Sequence, residues 1–366
     1  MALFATPPKS KTLEARLSKL DELRRYLAQH LGDSAEPWTG ALRRLAAAEA
    51  TVGSTSIEGY GTSLEDTVEI LAGRHPAKTD EETQRIIAAY GQAMDRTAVL
   101  ADDPRFEWAV QTVLELHFLV CHPQPAAQPG RLRDGAVIVT RGAAREPYRA
   151  PSPASVPGLL NELTRWLGSG DLSRHPVVRG AMAHLNLVSI HPFRDGNGRV
   201  ARIVQSLVLA REGLLRPELV SIEPYLGRHT REYYAVLEEV QGSTFDPGRD
   251  ASSWVEFCID AHVSEATERR LWLEVAYARH DFCEDLAREQ AYPARMVIAL
   301  DHALLGLPIT NAEYRRETGI ASPTAVQDLQ RLRRDGWLEQ QGGGRSVRYV
   351  AGRKLQERWS RQRESR

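Results

Sequence analysis

The strongest constraint on this chain is a pair of apolar runs separated by a short polar stretch. Residues 180–190 carry alanine and leucine at helical spacing, and residues 200–209 repeat the pattern. Between them stands His191-Pro-Phe-Arg-Asp-Gly-Asn-Gly-Arg199. Apolar residues that recur with a 3.6-residue period make helices, whereas proline and two glycines mark a turn. The segment therefore predicts helix, tight polar loop, helix.

A glycine-rich loop that opens a helix presents unpartnered backbone N–H groups at the positive end of the helix dipole. Gly196, Asn197 and Gly198 would form such a cradle for phosphate. Arg199 and Arg202 are three apart, share one face of the second helix's first turn, and add fixed positive charge. Asp195 can hold a divalent cation on the phosphates, and His191 can take a proton from an incoming hydroxyl. The bland alternative is a turn with solvated arginines and a packed histidine. The convergence of so many useful groups in one helix–loop–helix argues against it.

This stretch resembles the signature of the Fic (filamentation-induced-by-cAMP) family, His-x-Phe-x-[Asp/Glu]-Gly-Asn-Gly-Arg-x-x-Arg. Every specified position is matched, by His191, Phe193, Asp195, Gly196, Asn197, Gly198, Arg199 and Arg202. The resemblance implies transfer of AMP from ATP to a hydroxyl side chain of a protein, with Mg²⁺ on Asp195 and His191 as the base. It also implies that Phe193 packs inward and fixes the loop.

An earlier stretch gains meaning beside the signature. Gly53-Ser-Thr-Ser-Ile-Glu-Gly59 follows an alanine- and leucine-rich helix over 41–52. Alone it reads as a helix end with one solvated acid before a C-capping glycine. It resembles the family's inhibitory motif [Ser/Thr]-x-x-x-Glu-[Gly/Asn], with Ser54, Glu58 and Gly59 at the matching positions. The resemblance pairs Glu58 with Arg202 and obstructs the γ-phosphate of ATP. A carboxylate there would neutralise a phosphate-binding charge and repel the phosphate itself. The motif's position before the core implies the subclass with an N-terminal inhibitory helix.

The rest of the chain reads as mainly helical. Residues 1–10 carry two prolines and are expected to be a loose arm. Helices are predicted over 12–31, 63–71, 79–100, 106–120, 156–168, 225–241 and 252–288. Residues 130–153 differ: Ala136-Val-Ile-Val-Thr140 is β-branched, and Pro147-Tyr148-Arg149 follows a turn at 141–144, a hairpin pattern. By the resemblance this is the flap on which an extended target segment docks. A similar Tyr-Tyr helix in the family lies near the adenine, so Tyr233 and Tyr234 are nucleotide-contact candidates.

The C-terminal stretch changes character. Helices over 295–305, 310–318 and 322–335, then Gly336-Trp-Leu-Glu-Gln, a Gly342-Gly-Gly turn and Ser346-Val-Arg-Tyr-Val, follow winged-helix order. Arg331, Arg333 and Arg334 lie on the third helix, Arg345 and Arg348 on the wing. Residues 311–366 hold thirteen Lys or Arg against seven Asp or Glu. This suits DNA, and equally a protein contact or dimerisation surface.

Composition sets the outer bounds. The 366 residues suit two to three domains, and a net charge of −1 excludes a chain-wide polyanion binder. Cys121, Cys258 and Cys283 are scattered with no metal or redox spacing, and no apolar run approaches a membrane span, so a cytoplasmic protein is expected. The whole reads as mainly α: a helical region with an inhibitory helix near 40–60 (1–100), a Fic-type helical core with a small β-hairpin flap (101–290) and a winged helix-turn-helix domain (291–366). The function read from it is a protein adenylyltransferase restrained by Glu58, its partners ATP and a hydroxyl-bearing protein or itself. Two alternatives stand beside it, removal of AMP by the same site and a nucleotide-sensing DNA-binding regulator. The reading leaves room for a homodimer.

Overall fold

The computed structural model describes residues 3–31, 38–140, 147–211, 216–344 and 347–364. Helices α1 (Lys11–Leu31), α2 (Thr39–Ile57), α3 (Leu64–Leu71), α4 (Glu81–Asp102) and α5 (Val110–Cys121) come first. A two-stranded antiparallel sheet, β1 (Ile138–Val139) with β2 (Tyr148–Arg149), follows. Next come α6 (Val156–Ser169), α7 (Pro176–Ile190), α8 (Asn197–Ala210), α9 (Pro217–Val220), α10 (Glu223–Arg228), α11 (Thr230–Gln241) and α12 (Ser252–Glu289). The chain closes with α13 (Met296–Leu304), α14 (Asn311–Thr318), α15 (Ser322–Arg334), the antiparallel pair β3 (Leu338–Gln341) and β4 (Arg348–Ala351), and α16 (Arg353–Glu364). The chain forms two compact units, 1–35 with 43–268 and 36–42 with 269–366, so the boundary falls inside α12.

The first unit is built on the helical hairpin α7–α8. Every residue from Val177 to Ile190 is buried, as is all of α8 except Gly198. A helix buried all round needs neighbours on every side, and α4, α5 and α6 supply them. The loop between the two helices is therefore held between rigid ends. It turns through two left-handed residues, His191 (φ 49°) and Gly196 (φ 77°).

Helix α2 runs five residues beyond the expected end at Val52, through the small residues of the inhibitory stretch. Tertiary contact overrides their weak propensity. Gly53 is what allows it, since a Cβ there would lie 2.2 Å from the Glu223 carbonyl oxygen. Gly227 presents the matching gap, its Cβ falling 2.8 Å from Gly53 Cα. The helix ends at Gly59 (φ 89°), with the Tyr60 N–H on the Thr55 carbonyl at 3.0 Å.

The N-terminal arm, expected to be loose, is docked. Leu3 and Phe4 are buried, and the Phe4 N–H donates to Asn186 Oδ1 on α7 at 2.9 Å. Two adjacent apolar residues outweigh the prolines behind them. The helix expected over 225–241 is two, broken at His229. The hairpin turn expected at 141–144 lies outside the described residues.

In the second unit α13, α14 and α15 enclose Leu300, Tyr314, Leu329 and Leu332 with Trp337 of the loop before β3. Thr310 caps α14 in a capping box with Glu313. Ile309 bridges Tyr349 of β4 through two 2.9 Å backbone bonds. Helix α16 was not anticipated. Its sequence is strongly polar; Leu355 and Trp359 are its apolar contacts with the core, and Lys354 lies over the Trp337 ring at 3.8 Å. Arg345 lies outside the described residues. Among the described residues no helix is long and apolar enough to cross a membrane.

Candidate active site

The loop 191–196 and the first turn of α8 line a cleft of about 410 Å³. Glu58 and Ile57 border it from the end of α2, Val139 and Thr140 from the hairpin, and Tyr233 and Tyr234 from α11. The structure thus gathers His191, Asp195, Gly196, Asn197, Gly198, Arg202, Glu58 and both tyrosines around one space. Ser54 and Arg199 are buried behind it and do not line it; Ser54 meets Arg202, and Arg199 meets Asp195.

His191 caps the C-terminus of α7. Its N–H bonds the Leu187 carbonyl at 2.9 Å, and its Nδ1 lies 3.3 Å from the Val188 carbonyl. A proton on Nδ1 serves that carbonyl and leaves the lone pair on Nε2, the tautomer a general base requires.

The loop is stapled from within by Asn197. Its Oδ1 accepts from the Phe193 N–H and its Nδ2 donates to the Phe193 carbonyl, both at 2.9 Å. The side chain is thus committed to loop shape, and Asn197 can meet an anion only through its backbone N–H, which as the first helical residue has no intrahelical acceptor. Gly196 was expected to offer its N–H too, but Asp195 Oδ1 already accepts it at 2.7 Å. Gly196 has no room for a side chain: a Cβ would lie 2.4 Å from Cys121 Sγ.

The two arginines differ. Arg199 is 1% exposed, and its guanidinium meets Asp195 at 3.5 Å, while Nε and Nη1 have no partner among the described residues. Unsatisfied buried donors of a cation are costly and mark a place for an anion. Arg202 donates from Nε to Ser54 Oγ (2.8 Å) and from Nη2 to the Ser54 carbonyl (3.1 Å) and Glu58 Oε1 (2.8 Å). Its Nη1 has no partner among the described residues. Burial alone would lower the Arg202 pKa, but Glu58, Tyr233 and Tyr90 outweigh it and the net direction is upward. Gly198 makes the pairing possible, since a Cβ there would sit 2.8 Å from Glu58 Oε1.

Behind the cleft, Tyr233 is buried and its hydroxyl donates to His184 Nε2 at 3.0 Å. His184 Nδ1 in turn meets Gln205 Oε1 at 2.8 Å. Burial pushes the His184 pKa down to about 3, so the ring is neutral and can accept from the tyrosine. Tyr233 therefore offers a ring edge or face to the cleft, not its hydroxyl. The Tyr234 hydroxyl reaches the Ile57 carbonyl at 3.4 Å.

Two supports escaped the sequence reading. His117 of α5 is stacked on Phe193, centroids 3.7 Å apart and planes 5° from parallel. Its Nδ1 accepts from the Gly130 N–H at 3.0 Å, which leaves the proton on Nε2, 3.1 Å from the Asp195 carbonyl. Burial lowers its pKa to about 4, which keeps it neutral. Arg133 is the second, with its Nε on the His191 carbonyl at 2.7 Å. Neither carries a local motif that could have marked it.

Asp195 is the one signature carboxylate, and it is 54% exposed at the cleft. Among the described residues no three His, Cys, Asp or Glu cluster as a metal cage.

Residues 107–209 match the model of the Fic/DOC family, so the chain carries a Fic domain. Over 188 residues it is 32% identical to "Protein adenylyltransferase fic-1" of Caenorhabditis elegans, which covers 50% of this chain and 34% of that one. "Protein adenylyltransferase Fic" of Aedes aegypti is 29% identical over 221 residues, 60% of this chain and 40% of that one. The chain thus spans well under half the length of these relatives. Among solved structures, a Fic family protein from Desulfovibrio desulfuricans G20 superposes with a TM-score of 0.62 at 20% identity, covering 95% of this chain and 98% of that one. Fic-1 of C. elegans gives 0.57 at 25% identity over 72% and 74%.

Proposed function

We propose that this protein is a protein adenylyltransferase, moving AMP from ATP to a Ser, Thr or Tyr hydroxyl of a protein, itself included. The observation that carries the reading is the cleft that joins His191 to the anion loop at the α8 N-terminus and to Arg202. The phosphates of ATP rest on the α8 N-terminus and on Arg199 and Arg202, and the base lies against Tyr233 and Tyr234. His191 Nε2 takes the proton of the target hydroxyl, and that oxygen attacks the α-phosphorus. The bond to the bridging oxygen breaks, pyrophosphate leaves, and AMP remains on the protein. Positioning and charge stabilisation supply most of the rate. Mg²⁺ on Asp195 would offset charge on the leaving pyrophosphate.

In this state the site is restrained. Glu58 occupies Arg202 where a terminal phosphate would bind, in agreement with an inhibitory role for Ser54, Glu58 and Gly59. Glu58→Gly is expected to label itself or a lysate protein with AMP far faster than wild type, as read by mass spectrometry, and His191→Ala in that background should abolish the labelling. No labelling by Glu58→Gly with ATP and Mg²⁺ sinks the reading.

One observation favours a second activity. Glu58 uses a single oxygen on Arg202, and no described residue engages the other. That oxygen could orient a water for removal of AMP, so Glu58→Ala would lose hydrolysis of AMP-modified protein while gaining transfer.

The second unit supports duplex DNA as a further partner. Its helix–helix–helix–hairpin order is that of a winged helix, with α15 in the reading position. The only acid on α15, Asp328, is turned inward onto Arg295 (2.7 Å) and the Tyr314 hydroxyl (3.1 Å). Gln327, Gln330, Arg333 and Arg334 are left exposed.

A further inference from the structure

We propose that Arg133 is a positioning residue for AMP transfer, holding His191 in its working backbone conformation and tying it to both feet of the β1–β2 hairpin. The proposal rests on the adenylyltransferase reading above and extends it to a residue outside the signature.

Arg133 is 4% exposed, and every bond of its side chain to a described residue goes to a backbone carbonyl. Nε donates to His191 O at 2.7 Å, Nη1 to Gly135 O at 2.9 Å, and Nη2 to Pro151 O at 2.6 Å with Ile190 O at 3.5 Å. Its own N–H donates to Pro192 O at 3.0 Å. A buried guanidinium with no carboxylate partner is expensive, and burial pushes its pKa down. What compensates it is the C-terminus of α7, whose last carbonyls carry the negative end of the helix dipole.

The consequence falls on His191. This residue is left-handed, at φ 49° and ψ 60°. A non-glycine residue in that region is strained and persists only where its surroundings over-determine it. Arg133 binds the carbonyl of the residue before His191, of His191 itself and of the residue after it. These three carbonyls fix the peptide planes on both sides of the histidine, and so the direction in which its ring leaves the backbone.

The other half of the fork reaches Gly135, just before β1, and Pro151, just after β2. Both ends of the hairpin thus share one side chain with the base. A target segment that docks on the hairpin and shifts its feet would move the acceptors of the group that orients His191. A loss of alignment of about 1 Å at a reacting group can cost on the order of a hundredfold in rate.

The test uses the full chain with Glu58→Gly, so that transfer is measurable. Arg133→Met removes the donors and keeps the stem; Arg133→Lys keeps the charge but serves fewer acceptors. ATP affinity, kcat for AMP transfer and melting temperature are measured for each. We expect kcat to fall roughly ten- to a hundredfold in Arg133→Met and less in Arg133→Lys, with the ATP dissociation constant within about twofold. A kcat unchanged per folded molecule, or a loss that appears wholly as weaker ATP binding, overturns the proposal. If Arg133→Met does not fold, Arg133→Lys decides by the same split. If Glu58→Gly transfers nothing, the function reading fails by itself. Arg133 is then judged by ¹⁵N NMR of the His191 ring in Arg133→Lys, where unchanged shifts overturn the proposal and displaced ones sustain it.

Discussion

The cleft of the first unit and the surface of the second use the same residue types with opposite orientation. Around the cleft the cations are inside: Arg133, Arg199 and Arg202 are 4%, 1% and 1% exposed, while Asp195 is open to solvent. In the second unit three acids are turned inward onto cations. Asp301 pairs with Arg279 at 2.7 Å, Glu317 meets His302 at 3.2 Å, and Asp328 holds Arg295, while Arg315, Arg316, Arg333 and Arg334 face solvent. A buried cation with donors to spare is a socket for one compact anion at short range. Exposed cations with the acids withdrawn make a field for an extended polyanion. A net charge of −1 is blind to both arrangements.

The socket can be broken without touching a charge. Gly53 lets α2 approach the Glu223–Pro224 backbone, where a Cβ would meet three atoms within 2.7 Å. Gly53→Val should push α2 away and draw Glu58 off Arg202. Separating a partly buried ion pair of about 3 kcal/mol corresponds to a rise in AMP transfer on the order of a hundredfold. The same strain should lower stability by about 1–3 kcal/mol. A folded Gly53→Val protein with wild-type transfer would show that α2 does not govern the site.

A smaller effect comes from acid. His117, His184 and His262 are buried and held neutral, with pKa values pushed by burial to about 4, to about 3 and well below the ordinary range. Each is depressed on folding, so between about pH 6.5 and 4 the unfolded chain binds protons that the folded one refuses. Stability therefore rises with pH through that window and falls as the solution is acidified. His117 alone should contribute about 2 kcal/mol of that loss between roughly pH 6.5 and pH 4.5. His117→Phe keeps a ring against Phe193 but cannot titrate, so its denaturant midpoint should depend less steeply on pH. An unchanged slope would mean that His117 is not held neutral. At neutral pH the same variant loses the bond to the Asp195 carbonyl, which makes it a probe of the loop as well.

What could be read in advance follows the range of the interactions. His191 to Arg202 is one local stretch, and turn chemistry with helical periodicity was enough to draw the loop between two helices. Glu58 lies 144 residues from Arg202, and periodicity cannot carry that distance; the resemblance did. Arg133 and His117 act on the loop from 58 and 78 residues away through backbone carbonyls, which have no sequence identity to match. Gly53 read as a helix end because its use depends on Glu223 and Gly227, far along the chain. Helix α16 was missed since Leu355 and Trp359 give too sparse an apolar period. Phe4 was missed because a docked arm of a few residues has no period at all.

The exposed field of the second unit sets the last and smallest effect. On α15, Gln327, Gln330 and Arg334 share one stripe by their spacing, and Arg333 flanks it. Arg331 is less available, since it lies over the Tyr292 ring at 4.6 Å and near Asp335. Binding to a short DNA duplex, followed by fluorescence anisotropy, should weaken as salt rises. Each phosphate contact contributes a slope of about −0.9 in log affinity against log salt. Arg333→Ala with Arg334→Ala should reduce that slope by nearly 2 and the low-salt affinity by roughly tenfold or more, whereas Arg331→Ala should do less. AMP transfer by the Glu58→Gly protein should be unchanged in both variants. Binding that ignores salt, or is indifferent to Arg333 and Arg334, would reassign this face to protein contacts, because a solvated arginine pair outside a nucleic-acid interface has no counterions of that kind to release.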